Sequence, residues 1–334
     1  MNANTADLDA YDLMPPVEVW AVPGAIGINN HVCGVRTGAG AFIWKSYLSH
    51  RDPAVIRYEH RLLAWLTGQA LSFATPLPIT TRTGDTLSPT PDSAGWQALF
   101  TWLPGGHLDR ADPAQIEAFG AALGELHGVL ARYPLERRPG FGDFAALGHI
   151  HPNVPDPFNL TPDHLGLPPT DANVALLAWW RETLGGLRPF LDGPYRTLPR
   201  QVIHGDVTPG NAFADGGRIA AIFDFEFAAP DARAIDVASG LVFTMRIWER
   251  DAPTALLMVR RFLGGYARQI GLTTAEVTAL PDLMLLRDVV GAIWWLGRDR
   301  AAGDTRGSMA RLAEVQARAH WLTRHAAAFR DAVR

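Results

Sequence analysis

The chain has 334 residues, of which 48% are hydrophobic and 19% charged, and its formal net charge at neutral pH is −4. These values fit a globular protein of one large or two modest domains, and they exclude a disordered chain and a general attraction to nucleic acid or anionic membrane. Cys33 is the only cysteine, which excludes an intrachain disulfide and a cysteine-based zinc site.

Residues 1–16 read as a polar, mobile leader. The first 35 residues contain no Lys or Arg and no long apolar run, so no secretory signal is expected and the protein is expected to be cytoplasmic. From residue 17 to about 100 the pattern is of short strands around one helix. Thr37-Gly38-Ala39-Gly40 suits a hairpin turn, and Ile43, Lys45 and Tyr47 then alternate with Phe42, Trp44, Ser46 and Leu48 at a period of two. Asp52-Pro53 is an N-cap followed by proline at the first helical position, and Val55, Tyr58, Leu62, Leu63 and Leu66 share one face of the helix it opens. Residues 84–95 are rich in Gly, Pro, Ser and Asp and form a loop. An apolar strand over 96–103 is closed by Pro104-Gly105-Gly106, the best boundary in the chain.

Beyond that boundary the chain reads as mostly helical. Asp112-Pro113 caps a helix with Ile116, Phe119, Leu123, Leu126 and Leu130 at helical spacing. Residues 134–170 are broken by prolines and read as an irregular insertion. Further helices are expected over 172–190, 253–270, 281–298 and 308–332, and short strands near 200–203 and 219–225. No apolar stretch approaches the length of a bilayer span; Val289 to Leu296 is far too short.

Lys45 is the only lysine, against 29 arginines. A bias toward Arg explains the rarity but not the position. Arg replaces Lys well on a surface, and poorly where a compact point charge on a flexible stem is required. The stretch His204-Gly205-Asp206-Val207-Thr208-Pro209-Gly210-Asn211 brings Asp206 from an apolar strand into a tight loop, with an amide oxygen five residues on. A second apolar strand delivers Asp224 in Ile222-Phe223-Asp224-Phe225-Glu226. Two carboxylates and an amide make a hard-oxygen set suited to Mg²⁺. A carboxylate for the attacking hydroxyl, metal ligands and a cation on the phosphates are the parts phosphoryl transfer needs. Lys45 would be the cation, and Glu59 on the following helix its partner.

These residues, together with Ile235-Asp236-Val237-Ala238, resemble the aminoglycoside phosphotransferase and choline kinase family, with 222–238 closest to its homoserine-kinase-type branch. The resemblance runs from about residue 20 to the C-terminus. It implies an α+β, protein-kinase-like bilobal fold. The divisions would be a small antiparallel-sheet N-lobe over 17–99, a hinge over 100–104, and a helical C-lobe over 105–334 holding the catalytic loop and acceptor site. It further implies that Asp206 is the catalytic base and that Asn211 and Asp224 hold Mg²⁺. Lys45, with Glu59, would contact the phosphates of ATP, and the backbone around Phe100 and Trp102 would take the adenine. Asp236 would buttress the catalytic loop, with His204 hydrogen-bonding it. Gly205 stands where protein kinases have arginine, and Glu226 where they have glycine. Only eleven residues separate Asp224 from Asp236, which leaves no room for a long activation loop. The phosphate-covering loop would be 24–30.

Other motifs have blander readings. His127 lies among Leu123, Leu126 and Leu130 and reads as a core histidine. His149, His151 and His164 sit in the proline-rich insertion with no cysteine to complete a zinc site. Trp294-Trp295 reads as core, with a cation–π grip on an ammonium as the alternative. The family phosphorylates hydroxyls of small molecules, and charge helps to choose among them. Residues 134–200 carry seven Asp/Glu against six Arg, and residues 237–334 carry nine against fourteen. A surplus of guanidinium groups favours an acceptor bearing a carboxylate, homoserine being the leading expectation, over a polycationic aminoglycoside. Arg246, Trp294 and Arg298 are the candidate acceptor contacts. An aminoglycoside or choline/amino-alcohol kinase, and a non-catalytic nucleotide-binding module, are the alternatives. No nucleic-acid or membrane partner is expected.

Overall fold

A computed structural model describes residues 8–22, 29–140, 143–247, 249–303 and 307–333. The expected phosphate-covering loop lies outside these residues except for Asn29 and Asn30. In chain order the first elements are β1 (Glu18–Ala21), β2 (Asn30–Thr37), β3 (Gly40–Tyr47), α1 (Pro53–Thr67), β4 (Ser88–Pro89), β5 (Trp96–Thr101) and β6 (Gly106–His107). Then come α2 (Pro113–Leu130), α3 (Asp171–Asp192), α4 (Pro194–Thr197), β7 (Arg200–Ile203), β8 (Ala212–Asp215) and β9 (Arg218–Ile222). The chain closes with β10 (Ala229–Ala232), α5 (Ala234–Met245), α6 (Ala252–Ala267), α7 (Thr274–Ala302), α8 (Ser308–Arg324) and α9 (Ala326–Ala332).

Two units pack separately. The first takes in the described residues up to His107, together with Arg138–Gly140 and Ala212–Glu226. Its main sheet is antiparallel, in the order β1-β2-β3-β5-β4. Lys45 lies mid-strand in β3, opposite Val32 of β2 and Ala98 of β5. The Asp52 side chain accepts from the Ala54 amide at 2.8 Å, so α1 starts where the Asp-Pro pair predicts. Two expectations are corrected here. The leader is not polar throughout: Leu8 and Tyr11 are buried against Cys33, Val35, Trp44 and Leu99, because the sheet leaves that apolar face to be covered. The division is also not a single cut at 104, since β8 and β9 form a small sheet with β6 and bridge Ala74 through Ala221. That pairing carries Asp224 and Glu226 into the first unit.

The second unit is mainly helical. Its α2 and α6 touch backbone to backbone: a Cβ at Gly120 would stand 1.9 Å from the Phe262 carbonyl, and one at Gly265 1.9 Å from the Glu117 carbonyl. Only hydrogen fits at either place. Asp112 caps α2 as expected, accepting from Ala114 at 2.8 Å. The long α7 begins seven residues before the expected start at 281. Thr273 and Glu276 form a reciprocal capping box, and Pro281 is carried inside the helix. Glu276 is further fixed by a buried fork from Arg233, at 2.7 and 2.8 Å. The helix expected over 308–332 is divided at His325 into α8 and α9. Within the insertion, three short 3₁₀ turns bury Leu147, Pro157 and Leu165. Asn153 donates to the Gly297 carbonyl on α7 at 3.1 Å. Among the described residues no helix is long and apolar enough to cross a membrane.

Candidate active site

In the first unit, the strand pairing of β3 and the first turns of α1 bring Lys45 and Glu59 together, 3.6 Å apart. Lys45 Nζ also lies 3.5 Å from Asp224 and 3.4 Å from Glu226. Tyr47, two residues along the same strand face, places its ring 4.9 Å below the ammonium. The Lys45 side chain is only 10% exposed. Burial opposes its charge, but Glu59, Glu226 and Asp224 together outweigh that and hold the ammonium well above the ordinary lysine range. Glu226 is cradled by Asn29 at 2.7 Å and Asn30 at 2.6 Å, and its backbone carbonyl accepts from Arg138 at 2.6 Å. Burial works against its charge too, yet Lys45 and the two amides keep the carboxyl below the usual glutamate value. Two histidines border the cluster. Burial pushes His50 down to about 4 and His60 down to about 3, so both are neutral at pH 7. His50, 3.9 Å from Glu226, is therefore a neutral neighbour and not an ion-pair partner. Asp224 itself has φ +68°, a left-handed backbone that Asp adopts more readily than most residues. Held there, its carboxylate keeps 35% exposure, in contrast to Glu226 at 2%.

The second unit holds the loop from His204 to Asn211. Asp236, fully buried on α5, accepts from the His204 amide at 2.7 Å and the Gly205 amide at 2.9 Å. Two charge-assisted bonds on adjacent amides fix the loop entry. Gly205 is required twice over: φ is +83°, and a Cβ would meet the Phe227 carbonyl at 2.3 Å. The arginine that protein kinases place there has no room. His204 is fully buried, and its Nδ1 takes the Asp206 amide at 3.2 Å. Asn211 Nδ2 donates to the Asp206 carbonyl at 2.9 Å and to Asp206 Oδ2 at 3.1 Å, closing the loop. Its amide oxygen remains as an acceptor.

Phe100 is a buried residue of β5 whose ring meets His60 edge-on at 5.3 Å, so only its backbone can serve a ligand. Trp102 lies just past β5, is 43% exposed, and leans on Trp20 at 5.6 Å. Arg246 ends α5 and pairs with Glu249. Trp294, partly buried, packs edge-on against His151 and Phe227. Arg298 lies over the Trp295 ring at 5.9 Å.

Some residues do more than their sequence context shows. His127 is more than a core histidine: Nε2 meets Asp236 at 3.1 Å and Nδ1 meets the Tyr266 hydroxyl at 2.9 Å. Arg287 of α7 donates to Asp206 Oδ1 at 2.6 Å. Nothing marked it among 29 arginines. Glu226 was visible as a departure from the protein-kinase pattern, yet its partners Asn29 and Asn30 lie almost 200 residues upstream. Among the described residues no three His, Cys, Asp or Glu side chains gather into a metal-binding group. In the second unit Asn211 presents an amide oxygen, and in the first Asp224 presents a partly exposed carboxylate; each is a hard oxygen.

Residues 21–280 match the family described as phosphotransferase enzyme family. A homoserine kinase of Caulobacter sp. is 31% identical over 283 residues, 83% of this chain and 80% of that protein. A homoserine kinase of Acidiphilium cryptum is 29% identical over 84% of this chain and 81% of its own length. Among solved structures, a microcompartment-associated aminopropanol kinase superposes with TM-score 0.69 at 18% identity, covering 99% of this chain and 98% of that one. An amicoumacin kinase solved with AMP-PNP, Ca²⁺ and Ami gives 0.67 at 18% identity, covering 94% and 92%. The fold is thus the protein-kinase-like phosphotransferase fold. The chain belongs to the phosphotransferase enzyme family and is a small-molecule kinase.

Proposed function

We propose that the chain transfers the γ-phosphoryl group of ATP to the hydroxyl of a small amino-acid alcohol, homoserine. The observation that carries this is the likeness to homoserine kinases over four-fifths of both chains. The surplus of five arginines over acidic residues in 237–334 supports an acceptor with a carboxylate.

In this reading Lys45 holds the nucleotide phosphates, and Glu59 and Glu226 keep its ammonium in place. The backbone around Phe100 and Trp102 takes the adenine. Asp206 orients the acceptor hydroxyl and receives its proton as the acceptor oxygen bonds to the γ-phosphorus. The bond from that phosphorus to the β,γ-bridging oxygen breaks, and ADP departs. His204 and Asp236 hold the loop that carries Asp206. Asn211 and Asp224 supply oxygens of the kind Mg²⁺ prefers, and the ion, when bound, neutralises charge on the phosphates. Trp294 and Arg298 are proposed on the acceptor side.

An ADP-release assay across homoserine, 3-aminopropan-1-ol, choline and kanamycin tests the assignment. Homoserine is expected to give the highest kcat/KM, with activity abolished by excess chelator and restored by Mg²⁺. Preferential turnover of kanamycin would overturn the acceptor, and activity in chelator would overturn the metal.

A further inference from the structure

The proton acceptor proposed above is engaged on both of its oxygens. Asp206 Oδ1 takes Arg287 Nη2 at 2.6 Å, and Oδ2 takes Asn211 at 3.1 Å. A carboxylate with a guanidinium on one oxygen and an amide on the other meets an incoming hydroxyl with a donor already seated on each oxygen. Each oxygen keeps a further lone pair, but a hydroxyl that takes the Oδ1 position held by Arg287 must displace that guanidinium.

Arg287 is built to yield in a defined direction. Its Nε donates to Ser239 Oγ at 3.1 Å, and that hydroxyl donates to the Val207 carbonyl in the same loop at 2.9 Å. Ser239 is fully buried, so the guanidinium pivots on a fixed point attached to the loop it serves. The Phe243 ring lies 5.6 Å away. No described residue accepts from Nη1. It lies over Gly291, where a Cβ would come within 3.3 Å. A planar fork with Nε anchored and Nη1 open is suited to a bidentate carboxylate. The helix extends the same face: Arg287, Gly291, Trp294 and Arg298 follow at spacings of four, three and four, one stripe of α7. The side chains of Arg287 and Asp206 are 13% and 25% exposed, sheltered but reachable.

We propose that Arg287 selects the acceptor by its anionic group: an incoming carboxylate draws the guanidinium off Asp206 and thereby frees the base. An alcohol without a carboxylate leaves the ion pair in place and is a poor acceptor for that reason. This rests on the reading of Asp206 as the proton acceptor, and it names the feature of the substrate that the site reads.

Homoserine and 3-aminopropan-1-ol differ by the carboxylate alone, so the ratio of their kcat/KM values isolates the effect. In Arg287→Met that ratio is expected to fall roughly 10–100-fold, the worth of a charge-assisted pair, as the KM for homoserine rises while 3-aminopropan-1-ol, no longer facing the ion pair, holds or gains in kcat. Arg287→Lys should fall between the two. Thermal denaturation of each variant confirms that it is folded. If Arg287→Met lowers both acceptors equally, Arg287 is a brace for Asp206 and the proposal fails. It fails also if Arg110→Met, rather than Arg287→Met, collapses the ratio; Arg110 is the exposed guanidinium whose Nη2 lies 3.2 Å from the Cβ position of Gly210. Should the wild type use neither compound, homoserine as acceptor falls while the selector remains testable. The ratio is then taken on whichever hydroxy acid of a panel is turned over, against its decarboxylated analogue. Turnover of uncharged alcohols with no hydroxy acid accepted overturns the selector.

Discussion

Lys45 in one unit and Asp206 in the other are both ion-paired and sheltered, yet they are held in opposite ways. Lys45 faces three carboxylates, each between 3.4 and 3.6 Å, with no single short partner. Its charge is held by their sum against burial. Asp206 has one short bond to each oxygen, from two side chains on different elements. Each bond stands alone on its oxygen, and each can be exchanged singly. A charge that must stay put while a nucleotide comes and goes is suited to the first arrangement. A base that must change partners in each cycle is suited to the second.

Asp206→Asn should have the largest effect. The amide keeps the shape and cannot receive a proton, so kcat is expected to fall by roughly 10²–10⁴-fold with nucleotide affinity retained. Stopped-flow turnover with equilibrium binding of ATP checks this. A parallel loss of ATP affinity would mean that the two regions are not separable. Lys45→Arg probes the other side. The guanidinium keeps the charge but displaces it in a pocket closed by Glu59 and Glu226, and roughly 10²-fold in kcat is expected, a loss of the size that misplacement brings. The variant should still fold, by near-wild-type thermal denaturation. Unchanged kcat at saturating ATP would show that the cluster tolerates more than the spacing suggests.

Asp236→Asn sharpens the contrast from behind. It removes the charge that holds the amides of His204 and Gly205, so roughly 10-fold in kcat is expected with little change in KM. Steady-state kinetics on the folded variant decide it. The smallest effect is on pH. His50 and His60 have folded values of about 4 and 3, below the ordinary 6.5. A depressed histidine leaves the unfolded chain binding more protons, so its contribution is complete above 6.5 and is lost as pH falls toward the folded value. Between pH 6.5 and 5.5 each should remove about 1 kcal/mol. Denaturant unfolding across that interval should show the slope, and His50→Gln with His60→Gln should flatten it.

Local signals carried far in this chain. The Asp-Pro pairs at 52 and 112 start α1 and α2 where they predict, because a cap needs only its own next residues. The solitary lysine pointed to its position through composition alone. The start of α7 was also written in the sequence, as Thr273 and Glu276, but Pro281 masked it by resembling a helix start. Other features needed the folded chain. The partners of Glu226 come from Asn29 and Asn30, and Arg287 reaches Asp206 across 81 positions only because α7 packs beside α5. No spacing rule connects such residues.

The chain from Tyr266 through His127 to Asp236 links α6, α2 and α5 in series and ends on the two loop amides. The α2–α6 contact at its far end is backbone against backbone, so it cannot yield to an added methyl group. A change at Gly120 or Gly265, remote from any substrate, would shift where the Asp206 loop rests. Screens of random variants should therefore return these glycines as slow enzymes with ordinary substrate affinity, an inheritance of catalytic alignment from helix packing.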